Sequence, residues 1–133
     1  MNELFTTPAP GDNPIFLTGN QTSRVASLDV EGGSYLVLGT AVIGNLSSYK
    51  VDAVCLLQPS SSETFPLGQV RLLESERSTG NIATAMVAIQ MISSFSGPFT
   101  VVMDCTIPTP GGEGFVQYGR LSALKVEVLH TQN

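Results

Sequence analysis

The chain has no tryptophan, one histidine, two cysteines and only six basic residues among its 133 positions. Each shortage excludes something. Without tryptophan, and with Tyr35, Tyr49 and Tyr118 as the only tyrosines, a stacking platform for sugar rings is sparse. His130 lies among the last few residues, so a histidine-based triad or metal pair has almost nothing to be built from. The bases Arg24, Lys50, Arg71, Arg77, Arg120 and Lys125 are scattered in a chain of formal charge −5. Nucleic-acid binding requires concentrated positive charge to release counterions, and the same shortage disfavours anionic membranes.

No run approaches the roughly 20 apolar residues of a membrane-spanning helix. The start, Met-Asn-Glu-Leu-Phe-Thr-Thr-Pro, lacks the basic and apolar regions of a signal peptide. The expectation is a chain without signal peptide or transmembrane segment, cytoplasmic or assembled on a virion or other surface.

What is there favours strands. Charged residues make up 13% and hydrophobic ones 42%, about half the usual charged share. Surface helices rely on Glu, Lys and Arg, whereas Val, Thr and the aromatics suit pleated surfaces. The length is that of one domain. Residues 1–14, with three prolines and Gly11, read as an extended, poorly ordered lead-in, and 15–133 as a single β-sandwich.

Short apolar runs then alternate with turn clusters. Strands are expected at Ile15–Thr18, Thr22–Val30, Tyr35–Gly44, Lys50–Gln58, Leu67–Glu74, Asn81–Ile92, Phe99–Ile107 and Phe115–Leu129. The segment Asn81–Ile92 would tolerate a helix, but its helical stripe is weak and its neighbours are strands. The last strand is either continuous or bulged at Gly119. Glu31-Gly32-Gly33-Ser34 reads as a tight hairpin turn. Pro59–Thr64 and Pro108–Gly114 are loops, and Ser75–Gly80 is a polar turn. The fold class is all-β, a two-sheet antiparallel sandwich of jelly-roll type.

Two strands carry the expectation of association. In Tyr35–Gly44, the set Tyr35, Val37, Ala41 and Ile43 alternates with Leu36, Leu38 and Val42, so both faces are apolar. Such a strand must be covered on both sides, by another subunit or by a long loop. In Phe99–Ile107, by contrast, Thr100, Val102, Asp104 and Thr106 mark a solvated side. Lys125 and Glu127, alternating with Leu124, Val126 and Val128, suggest the same for the last strand.

Cys55 and Cys105 lie on apolar strand faces about fifty residues apart. Two readings stand: a disulfide joining the strands, or two buried free thiols. Two cysteines without nearby histidines do not make a zinc site. The carboxylates lie mostly in turns, where they serve solubility. Gly111-Gly112-Glu113-Gly114 lacks the Lys-Ser/Thr of a phosphate loop. Asn20-Gln21-Thr22 and Asn45-Leu46-Ser47 match the glycosylation pattern, which arises often by chance. No catalytic residue, cofactor site or metal site is expected, and the chain is expected not to be an enzyme.

The run Val25-Ala-Ser-Leu-Asp-Val-Glu-Gly-Gly-Ser-Tyr-Leu-Val37 resembles the strand, glycine turn and Tyr-Leu-Val strand of small bacterial jelly-roll proteins of unknown function. The cysteine strands Ala53–Leu57 and Val102–Cys105, and the closing Leu121–Val126, extend the resemblance over about four-fifths of the chain. Those proteins are similar in layout to the globular heads of complement and tumour necrosis factor proteins, which are trimeric jelly rolls. The resemblance implies a jelly roll, a homo-oligomer with a trimer favoured, and no active site. One departure is that Leu121–Val128 lacks the aromatic residues of complement heads.

The expected role is a non-catalytic binding or assembly module, contacting a protein or glycan ligand through loops such as Pro59–Thr64 and Pro108–Gly114. The alternatives are a purely structural subunit of a larger assembly and, less favoured, a carbohydrate-binding module.

Overall fold

A computed structural model of the chain describes residues 3–6, 14–58, 67–72 and 82–126. Every regular element in them is a strand: β1 Glu3–Thr6, β2 Ile15–Thr18, β3 Thr22–Val30, β4 Gly33–Asn45, β5 Val51–Gln58, β6 Leu67–Leu72, β7 Thr84–Phe95, β8 Phe99–Thr106 and β9 Glu113–Val126. They form two antiparallel sheets. The five-stranded sheet runs β1-β9-β4-β7, with β2 also pairing β9, and the four-stranded sheet runs β3-β8-β5-β6. Pairing of strands distant in sequence, with crossovers between two sheets, makes this a jelly-roll sandwich. Pro59–Thr64, Ser75–Gly80 and His130 lie outside the described residues.

The core lies between the sheets and follows the period-two rule. Tyr35, Val37, Ala41 and Ile43 of β4 face Ala53, Cys55 and Leu57 of β5 and Val101, Met103 and Cys105 of β8, all essentially inaccessible to solvent. The Tyr35 hydroxyl, buried with its ring, donates to the Glu31 carbonyl oxygen at 2.9 Å.

Several sequence expectations change. The lead-in contains β1, whose residues pair with Lys125–Ser122 of β9. The Glu31–Ser34 turn is not a hairpin: β3 and β4 belong to different sheets, and the turn carries the chain across the sandwich. Of its two glycines only Gly33 takes a positive φ, and a side chain there would run into the Lys125 methylenes. Asn81–Ile92 is a strand, but shifted to Thr84–Phe95.

The outer side of β8 is less solvated than its alternation implies. Val102 and Asp104 are both buried, because β8 lies between β3 and β5 and Arg24 of β3 reaches over to Asp104.

The phase of the last strand is reversed. Leu121 and Ala123 fill the core, Leu124 pairs with Leu36 on the outer side, and Lys125 sits at the core rim beside Gly33 and Glu31. Alternation alone places Leu124 inward, but it stands in an aliphatic row on the outward side, with Leu4 and Leu36 opposite it.

Candidate functional site

The outer face of the five-stranded sheet is built from alternate residues of its strands. Register places Leu4 of β1 opposite Leu124 of β9, Leu124 opposite Leu36 of β4, and Leu36 opposite Ile92 of β7. An unbroken aliphatic row thus crosses four strands. Leu4 and Ile92 are about two-thirds exposed, and Leu36 is 39% exposed. One row along, Leu38 stands between Ser122 and Gln90 and is also exposed. Further on, Val42 lies between Gln117 and the exposed Met86. At the far end Phe16 of β2 stands opposite Phe115, whose ring lies over Gly44.

The second apolar set of β4, read from the sequence as needing a cover, is therefore open to solvent in the described residues of one chain. Monomeric proteins seldom expose a contiguous apolar surface of this kind.

The other sheet presents a different outer face. There Arg24 contacts Asp104 at 3.3 Å, Arg71 contacts Asp52 at 2.9 Å, and the Thr22 and Thr106 hydroxyls are 2.8 Å apart. The Thr100 hydroxyl donates to Asp29 at 2.6 Å. The Arg71 hydrogen bond holds the Asp52 carboxyl below its usual value. Cross-strand polar pairs of this type suit a face in contact with water.

β7 adds an edge to the apolar face. Among the described strands it pairs with β4 alone, and its twelve residues include no charge, proline or glycine. Edges of this composition are ordinarily blunted or covered.

Midway along the face the sheet is interrupted. β9 pairs Arg120 with Thr40 and Gln117 with Val42, so Tyr118 and Gly119 together oppose Ala41. This is the bulge anticipated at Gly119. Tyr118 has φ 57°, a left-handed conformation uncommon for a residue of its size. Gly119 abuts Val25, itself the extra residue of a bulge in β3. The two irregularities meet and close that corner of the sandwich. On the outer side the bulge opens a pocket of about 210 Å³ lined by Thr40, Ala41, Val42, Met86, Tyr118 and Arg120.

Sequence reasoning did not single out Arg120 or Tyr118 as a site. Their proximity to Met86 depends on strand order, and the only local signal was Gly119.

Cys55 and Cys105 are directly opposite each other on adjacent strands of one sheet. They are fully buried and joined, Sγ to Sγ, at 2.05 Å with Cα atoms 4.1 Å apart. Their surroundings are core side chains, so the pair is a brace within the four-stranded sheet.

The Pro108–Gly114 loop is anchored where it enters β9. The Ser47 hydroxyl accepts from the Glu113 N–H at 2.8 Å and the Leu46 N–H donates to the Glu113 carbonyl at 2.9 Å. Asn45 holds this junction by donating to the Tyr49 carbonyl and accepting from the Ser47 N–H, both at 2.8 Å. With its side chain buried and so engaged, Asn45 is not an open glycosylation acceptor, whereas Asn20 is exposed.

A shallower depression of about 440 Å³ lies at one end of the sandwich, lined by Asp29, Val30, Pro98, Phe99 and Thr100. Phe99 stacks there on Phe95, with centroids 4.9 Å apart.

No protein-family model and no curated protein matches the chain. Among solved structures, the Eiger TNF of S. frugiperda is similar over 99% of this chain and 98% of its own, at 9% identity and TM-score 0.56. A family two carbohydrate esterase from Cellvibrio japonicus matches at 13% identity and TM-score 0.36, with 100% of this chain covered but 37% of the esterase. A structure of the infectious bursal disease virus Gx strain matches at 10% identity and TM-score 0.35, covering 96% and 38% respectively. The likeness to Eiger TNF is one of fold, and this chain has a TNF-like jelly-roll layout.

Proposed function

We propose that this protein is a non-catalytic assembly module, a jelly-roll subunit that associates with copies of itself through the outer face of its five-stranded sheet. The observation that carries the reading is the aliphatic row Leu4–Leu124–Leu36–Ile92, with Leu38 next to it and the exposed Met86 further along the same face. Burying apolar surface contributes roughly 25 cal/mol per Å², and a specific interface removes about 800 Å² from each partner. A second copy is the occupant that best fits the features beside the row. The neighbouring β7 edge is uncharged along its whole length, so one copy offers both an apolar face and an uncharged edge. A contact between different parts of two copies is head-to-tail, and such contacts close into rings when the rotation allows. The trimer is the count implied by the resemblance to complement and tumour necrosis factor heads.

Leu38→Asp tests the face. Leu38 is 44% exposed in one chain, so a charge there should change the stability of the isolated fold by no more than about 0.5 kcal/mol. In the assembly it would bury an unpaired carboxylate. Sedimentation velocity should show the wild type assembled and the variant as single folded chains. An assembled Leu38→Asp variant would place the interface elsewhere.

A further inference from the structure

The outward positions of β2, β4, β7 and β9 carry only two charged residues, Arg120 and Glu113, both on β9. Both are exposed, and neither has an ion pair or side-chain hydrogen bond among the described residues. That sets them apart. Asp29, Glu31, Asp52 and Asp104 each receive a donor from within the chain, from Thr100, Lys125, Arg71 and Arg24 respectively. Among the acids whose side chains the structure describes, Glu113 alone is left over.

An apolar face that is buried on assembly cannot leave a guanidinium unpaired, because a buried charge without a partner costs more than nearby apolar contacts return. Arg120 lines the bulge pocket, whose volume of about 210 Å³ accommodates a carboxylate side chain. Glu113 is suited to enter it. Its backbone is pinned by Ser47 and Leu46 while its side chain stands free at the end of the same face. On this face one acid and one base are uncompensated, separated along one strand, and they are complementary between two copies.

We infer that in the assembly the Glu113 carboxylate of one copy seats in the Tyr118–Arg120 pocket of its neighbour and pairs with Arg120. This rests on the assembly reading and gives it an orientation: the β4–β9 junction end of one sheet meets the mid-sheet bulge of the next. The aliphatic rows supply adhesion, and the charge pair selects one register among the many that a greasy surface would accept.

Charge reversal tests the pairing. Arg120→Glu and Glu113→Arg, made singly in the full chain, should each weaken assembly by at least about tenfold in sedimentation equilibrium. The double variant E113R/R120E should recover to within about threefold of wild type, since it exchanges the two charges across the same contact. Circular dichroism and thermal melts of each variant establish that the fold is kept, and Arg120→Gln replaces any reversal that unfolds. An assembled wild type whose dissociation constant is indifferent to Arg120→Glu, or a double variant no tighter than the singles, would overturn the pairing and leave the apolar interface standing. A wild type that sediments as single chains would overturn both.

Discussion

Cys55 shows how far a single residue can be read without its neighbours. Its position on an apolar strand face, like that of Cys105, was legible from alternation, but bridge and free thiols stayed equally open. The choice depends on register: β5 and β8 must be adjacent and must align residue 55 with residue 105, as they do. The bridge closes a loop of 50 residues, for which chain entropy alone gives about 4 kcal/mol. Replacing both cysteines by alanine should lower the unfolding free energy in urea by about that amount, and a loss under about 1 kcal/mol would mean the bridge contributes little. Gly119 makes a second residue-scale case. A Cβ there would collide with the side chain of Val25 and press on its carbonyl oxygen, and backbone yields less easily than a side-chain tip. Gly119→Ala should therefore cost about 1–3 kcal/mol, seen as a lower urea midpoint with unchanged slope. No change would mean that the two facing bulges are not tightly packed.

At the scale of elements, period-two alternation located eight strands, while the faces of the last one came out reversed. Strand detection needs only local pattern. Assigning faces needs to know which side is the core, and when both sides are apolar, as around Leu36 and Leu124, hydropathy does not discriminate. The Tyr118–Gly119 bulge compounds this by shifting the alternation within β9. β1 escaped notice because it is four residues long and flanked by a proline-rich stretch. The β5–β6 pairing carries a pH dependence of known sign. The hydrogen bond from Arg71 lowers the Asp52 pKa below its ordinary 3.8, so its stabilising contribution is present above that value and is lost as pH falls through the lower folded one. Both groups are open to solvent, so the effect is small. Asp52→Asn should flatten the acid limb of the stability profile below about pH 4 and leave the neutral range almost unchanged. A steeper acid limb in the variant would contradict the assignment.

For the whole molecule, two sheets of opposite character follow from the packing. The four-stranded sheet turns paired polar side chains outward, and the five-stranded sheet turns outward a row of aliphatic ones. The sequence already indicated that one strand was apolar on both sides, because Leu36, Leu38 and Val42 sit between core residues. It did not indicate that β1, β7 and β9 extend that surface, since their alignment across the sheet is a property of topology. The same holds for Arg120 and Glu113, which belong to one face only because β9 spans its length. The central claim is that this face joins copies of the chain, and the native mass in solution tests it most directly. Light scattering coupled to size exclusion, at micromolar concentration, should give three times the 14.0 kDa of one chain. A mass of 14.0 kDa, unchanged on concentration, would contradict the account.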